Sequence, residues 1–217
     1  MKILVISPHP DDLEISCAGT LKRFQEQGAE IVSVITVAPS VEVRPGRNKQ
    51  TIQIELANSY GISGFKYKIF NTPMHINGRP NLVVNNVTMT DLAPLIEPCD
   101  IAIIPHPEDF HQDHANTHAL AWPLVRKLAQ EVWFMHTVPY CFDHCINSAN
   151  LFFNIADQWQ FKQQLLECYN SYFDSDAINK IYTANQYWGQ QNNGVLAEAF
   201  TLAKKYVEYN YTVSKRS

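Results

Sequence analysis

Residues 2–37 read KILVISPHPDDLEISCAGTLKRFQEQGAEIVSVITV, and this stretch decides the fold. Lys2 to Ser7 is short, apolar and rich in β-branched side chains, the pattern of a strand covered on both faces. Glu30 to Val37 repeats the pattern. Between them, residues 16–27 set Ala18, Leu21 and Phe24 at helical spacing, and Gly28 is a natural stop. Strand, helix and strand close within about forty residues, the signature of parallel strands joined by a right-handed crossover.

The same reading extends outward. A helix is expected near 49–60, ended by Gly61, and a strand over Phe65 to Phe70. A helix near 89–96 precedes a buried strand at Asp100 to Pro105, followed by a helix near 112–129 and a strand near 131–137. Beyond about 138 the pattern is less regular. Leu151 to Ile155 reads as a strand, 157–172 as a helix with Trp159, Leu165, Leu166 and Tyr169 in its core stripe, and 194–205 as a further helix. Tyr206 to Val213 alternates, as a late edge strand or a tail. The expectation is one α/β domain over 1–217, Rossmann-like, its mostly parallel sheet flanked by helices on both faces.

Composition narrows the function classes. The chain has 217 residues, 46% of them hydrophobic and 12% aromatic, too apolar for a disordered chain. Seventeen basic against twenty-one acidic side chains give a net charge of −4, which makes no electrostatic case for nucleic acid or an anionic membrane surface. No stretch approaches the ~18 uninterrupted apolar residues of a transmembrane helix, and the opening MKILVISP is too short for a signal peptide. Cys17, Cys99, Cys141, Cys145 and Cys168 are odd in number and scattered, so reduced thiols and a cytoplasmic setting are expected. The Cys141–His144–Cys145 segment lacks a zinc-ribbon spacing and reads as thiols near a strand end.

Four of the eight histidines lie between 106 and 118. Three of those four, with His9, belong to two acid–histidine segments: SPHPDDLE at 7–14, directly after the first strand, and PHPEDFHQDH at 105–114, directly after the strand at 100–105. Open α/β sheets bind ligands beyond the carboxyl ends of their strands. If the two strands are neighbours, His9, Asp11, Asp12, His111 and His114 converge on one crevice. Two imidazoles and a carboxylate suit a zinc ion with a position left for water. A remaining carboxylate can serve as general base, and a remaining histidine can stabilise an oxyanion. Taken singly, each segment has a plainer explanation: Pro10 and the aspartates build turns, either aspartate caps the following helix, and His111 and His114 sit on a solvated face. At one sheet edge together, they point to metal-assisted amide or ester hydrolysis.

Here the sequence resembles a family. His9-Pro10-Asp11-Asp12 with Glu14, then Gly19-Thr20, is similar to the HPDDxE…GGT form of the LmbE-like, or PIG-L, N-deacetylases, and His111-Gln112-Asp113-His114 to their HxDH motif. Asn154-Ile155 with Lys162, and Ala197-Glu198-Ala199-Phe200, are weaker echoes. The resemblance implies that His9, Asp12 and His114 hold one divalent metal, zinc first, and that Asp11 is the general base. It implies that His111 donates to the oxyanion and that Asp113 sits behind a histidine, fixing its tautomer. The implied reaction removes an N-acetyl group from an amino sugar or its conjugate, commonly one containing GlcNAc. The implied partner is that small molecule, and a homo-oligomer stays open. The chain departs from the family's Arg-x-x-Glu at the start of the 49–60 helix, where the simplest register sets Lys49 and Ile52, and Ser171-Tyr172 replaces a Ser-Gln pair.

Candidate substrate contacts are Arg44 and Arg47, in the loop after the second strand, suited to a phosphate or carboxylate on the aglycone. Met74, His75 and Asn77 occupy another edge loop, and His106 either lines the crevice or ends its strand. His118 is expected to pack under the site, and Trp133 and Met135 to be core. The alternative is a non-catalytic or differently specific metal-binding Rossmann-like protein for sugars or nucleotides. Against a dinucleotide, the first βα turn lacks GxGxxG and carries acid.

Overall fold

The computed structural model describes residues 1–37, 48–73, 80–138 and 146–206. Seven strands form one sheet: β1 (Lys2–Ser7), β2 (Glu30–Ile35), β3 (Lys66–Ile69), β4 (Cys99–Pro105), β5 (Ala129–Met135), β6 (Leu151–Asn154) and β7 (Ala197–Lys205). Their order is β3-β2-β1-β4-β5-β7-β6. The first five run parallel, and β7 lies antiparallel between β5 and β6. The helices are α1 (Asp12–Ser16), α2 (Ala18–Glu26), α3 (Lys49–Ser63), α4 (Asn86–Leu92), α5 (Gln112–Leu128), α6 (Trp159–Glu167) and α7 (Ser175–Gln190).

The apolar run of β1 explains its central place. Ile3 and Val5 face one core with Leu21, Leu56 and Trp133, while Leu4 and Ile6 face another with Leu92, Leu120 and Val125. Every one of these is buried, and a strand with no polar face must lie inside a sheet covered on both sides. Chain order runs outward from β1 through β2 to β3, and from β4 to β5 on the other side. The β1–β4 boundary is therefore the topological switch point, where a crevice opens past the carboxyl ends of the strands.

Several sequence expectations are corrected. The helix expected over 16–27 begins earlier, at Asp12, and breaks at Cys17, whose φ of −147° and ψ of 4° interrupt the helical path. The expected stop at Gly61 lies inside α3. The helix ends instead at Gly64, whose φ of 69° is the left-handed conformation that a glycine adopts without strain. The segment expected as a helix at 194–205 is β7, since pairing on both sides with β5 and β6 overrides the helical propensity of its alanines. The helix expected at 157–172 shortens to a 3-10 turn at Ala156–Gln158 and α6. Helix α7 was not anticipated, although Asp174 accepts from Ala177 N at 2.8 Å as an N-cap and Ile178, Ile181, Ala184, Asn185 and Trp188 form its buried stripe.

Past residue 138 the sheet continues rather than ending. A buried ion pair ties its strands to the first crossover. Lys162 Nζ meets Glu198 Oε1 at 2.7 Å, both side chains fully buried. Glu198 also accepts from Gly19 N at 3.0 Å and Thr20 N at 2.7 Å, satisfying two amides that open the first turn of α2. Gly19 permits this closeness, because a Cβ there would stand 2.8 Å from Ile155. The resemblance to Lys162 and Ala197–Phe200 thus has a structural meaning. No helix among the described residues is long and apolar enough to cross a membrane.

Candidate active site

Both acid–histidine segments lie at the switch point, since β1 and β4 pair directly through Ile3–Val5 and Ile101–Ile103. The first is a tight turn between β1 and α1. His9 N donates to Asp12 Oδ2 at 2.8 Å, so Asp12 folds back on its own turn. Asp11 occupies the N-cap position of α1, buried, yet makes no side-chain capping bond. Helix capping therefore does not explain it.

The second segment is a loop from β4 into α5. His111 caps α5, its Nδ1 accepting from Asp113 N at 3.3 Å. Two residues earlier, Asp109 accepts from His111 N at 2.9 Å through Oδ1 and contacts His114 Nδ1 at 2.8 Å through Oδ2. The ring centroids of His9, His111 and His114 lie 5.0 to 5.5 Å apart. One nitrogen from each falls within 4.8 Å of the others, a group able to hold a metal ion.

Each of two imidazoles has a carboxylate on either side. His9 Nε2 lies 3.0 Å from Asp113 Oδ2, and its Nδ1 3.1 Å from Asp12 Oδ2. His114 Nδ1 is held by Asp109, and its Nε2 lies 3.4 Å from Asp12 Oδ1. Burial alone would lower the pKa of His9, but Asp12 and Asp113 outweigh it and hold the imidazole at about 10. His114 is likewise held at about 9 against burial, by Asp12 and Asp109. For Asp12, the two imidazoles outweigh burial and keep the carboxyl well below its usual range. Carboxylates this dense, sharing basic nitrogens, form an environment made for positive charge.

His111 differs. Burial and the neighbouring His9 and His114 lower its pKa. With Nδ1 accepting from a backbone amide, the neutral ring carries its proton on Nε2 and presents a donor there.

Beneath the turn, Glu14 is buried with Oε1 accepting from Ser59 Oγ at 2.5 Å. Burial raises its pKa to about 8, partly offset by the Ser59 hydroxyl. In α3 the buried carboxylate is Glu55, three residues past Ile52. It accepts from Ser171 N at 2.7 Å and Ser171 Oγ at 2.9 Å. The helix thus contacts the segment after α6 from a different position than Lys49 and Ile52.

Two further histidines, His118 and His106, have places outside the metal group. His118 Nδ1 donates to Pro105 O at 2.8 Å and its ring stacks on Trp122, a packing role as expected. His106 ends its strand: Nδ1 accepts from Glu108 N at 3.2 Å, so Nε2 donates to Ser148 Oγ at 2.9 Å. A ring that donates to a serine cannot be its base. Trp133 and Met135 are core. Arg44, Arg47, Met74, His75, Asn77, Cys141, His144 and Cys145 lie outside the described residues. The sequence reading missed Asp109. Its signal was a carboxylate in the same strand-end loop, two residues before His111 and five before His114.

Comparison with known proteins agrees with this geometry. The PIG-L family, described as GlcNAc-PI de-N-acetylase, matches residues 4–125, more than half of the chain and both acid–histidine segments. The chain belongs to the PIG-L family. As a PIG-L member it is an enzyme of the hydrolytic N-deacetylase type. Solved structures share the fold. N,N'-diacetylchitobiose deacetylase from Pyrococcus horikoshii aligns with a TM-score of 0.74 at 19% identity, over 93% of this chain and 83% of that one. The zinc-inhibited form of the teicoplanin deacetylase Orf2 aligns at 0.68 and 16% identity, over 92% and 97%. The 4-carboxy-2-hydroxymuconate hydratase GalB from Pseudomonas putida aligns at 0.73 and 18% identity, over 97% and 99%. A hydratase beside deacetylases means that the PIG-L fold alone does not fix the reaction.

Proposed function

We propose that this PIG-L protein removes the N-acetyl group from an amino sugar or amino-sugar conjugate, with zinc held by His9, Asp12 and His114. One observation carries the reading: two imidazoles, each held from behind by its own carboxylate, turn their other nitrogens onto the shared carboxylate of Asp12. Histidines that ligate metals are oriented this way, and a mixed nitrogen and oxygen set suits zinc. Zinc, when bound there, supplies Lewis acidity and lowers the pKa of water toward ~7.

The chain's own residues perform the rest. Asp11 takes the proton of the attacking water and delivers it to the departing amine. The new C–O bond forms first, and the C–N bond breaks as the oxyanion collapses onto the carbonyl, giving free amine and acetate. His111 Nε2–H donates to the carbonyl oxygen as it gains charge. Its engaged Nδ1 favours this role over a third ligand place. Asp113 holds His9, and Asp109 holds both His114 and the His111 backbone. Arg44 and Arg47 are proposed to meet an anionic group on the aglycone.

An acetate-release screen over free, nucleotide-linked and lipid-linked N-acetyl sugars tests the reaction, and silence across all three classes would remove deacetylation. Metal analysis should find about one zinc per chain, lost in Asp12→Ala and in His114→Ala. His111→Ala should keep zinc and lower kcat by ~10²-fold. Loss of zinc from His111→Ala would instead make His111 a ligand.

A further inference from the structure

Tyr169 contributes nothing to the reaction chemistry, yet it reaches the backbone of the catalytic turn. It follows α6 and is fully buried, packed with Ile15, Leu166, Phe173, Ile178 and Ile181. Its hydroxyl lies 2.6 Å from the Pro10 carbonyl oxygen and 2.9 Å from Glu14 Oε1. A hydroxyl has one proton and a carbonyl can only accept, so the shorter contact takes that proton.

Pro10 stands between the proposed ligand His9 and the proposed base Asp11. Its ring fixes φ, and the residue before a proline is confined to extended backbone. Peptide bonds are planar. The main freedom left between the two side chains is the tilt of the peptide joining Pro10 to Asp11. Its carbonyl is the group that Tyr169 holds. The same segment also holds the far end of α1, where Lys162 Nζ donates to Ile15 O at 2.7 Å.

We propose that Tyr169 is a positioning residue: by pinning the Pro10 carbonyl it sets the angle between the His9 imidazole and the Asp11 carboxylate, and so places the base relative to the metal site. This rests on the deacetylase reading for its catalytic consequence only; the placement of His9 can be measured without turnover. It also gives a task to chain beyond the 4–125 segment that the family match covers.

The test compares zinc-loaded wild type, Tyr169→Phe and Ser59→Ala. Ser59→Ala removes the donor to Glu14 and leaves the Tyr169–Pro10 contact in place. In Tyr169→Phe, kcat should fall ~10-fold or more at a KM within about twofold. Zinc affinity, from chelator competition, should fall ~10-fold, and the visible spectrum of the cobalt-substituted protein should shift. Ser59→Ala should lose stability and keep wild-type kcat and spectrum. Tyr169→Phe with wild-type kcat, zinc affinity and cobalt spectrum, changed only in melting temperature, would overturn the proposal. So would an equal kcat loss in Ser59→Ala, which would route the effect through Glu14. If wild type releases no acetate at all, the deacetylase reading fails, while zinc affinity and the cobalt spectrum still decide the role of Tyr169.

Discussion

Asp11→Asn should lower kcat by ~10³-fold while the protein keeps about one zinc per chain. The substitution is nearly isosteric and leaves His9, Asp12 and His114 untouched. Asparagine still accepts a hydrogen bond through its carbonyl oxygen, so orientation of an incoming water survives. What it cannot do at neutral pH is take and return a proton. Asp11 is buried at the start of α1 and does not cap it, so the substitution removes no capping bond from the helix. The combination to look for is intact metal, intact melting temperature and collapsed acetate release. Turnover near wild type would remove Asp11 from the base role and leave the metal site standing.

Lys162→Met should destabilise the protein by about 3–5 kcal/mol, the cost of leaving a buried carboxylate without its cation. Both partners are fully buried, 2.7 Å apart. The amides of Gly19 and Thr20 still reach Glu198 in the variant, but they do not neutralise its charge. For a chain of this size the change corresponds to a fall in Tm of roughly 10 °C. The double variant Lys162→Met/Glu198→Gln should recover part of the loss, because no unpaired charge remains and a glutamine oxygen can still serve one amide. Thermal and urea melts of the three variants settle this without any substrate. Losses below about 1 kcal/mol in the Lys162 variant would show the pair to be dispensable.

Much of this was legible before any coordinates. Apolar runs at Lys2–Ser7, Glu30–Val37 and Asp100–Pro105 read as buried strands, and the strand-end position of both acid–histidine segments follows from them. The convergence of His9, Asp12, His111 and His114 needed only that β1 and β4 be neighbours, which they are. What the sequence hid is tertiary. Asp109 stands outside the HxDH spacing, and only the path of the loop brings it to His114. Tyr169 reads as one more aromatic in a helical stripe, and its hydroxyl contact spans 159 positions of chain. Residues 197–205 carry helix-forming alanines but occupy a slot between two strands, and no local signal states which neighbours a strand will find.

That slot bears on how the chain is assembled during synthesis. β6 is made before β7 but pairs with it, and β5 stays an open edge on that side until β7 arrives. A nascent chain can close the parallel half of the sheet early and must then carry an unpaired strand through the whole of α6 and α7. The last strand to dock also brings Glu198, the counter-charge for Lys162 and the acceptor for the first turn of α2. Until then the helices behind the catalytic turn lack their anchor, so competence for metal and turnover should arise late, as one of the final events of folding rather than with the half of the sheet that bears the ligands.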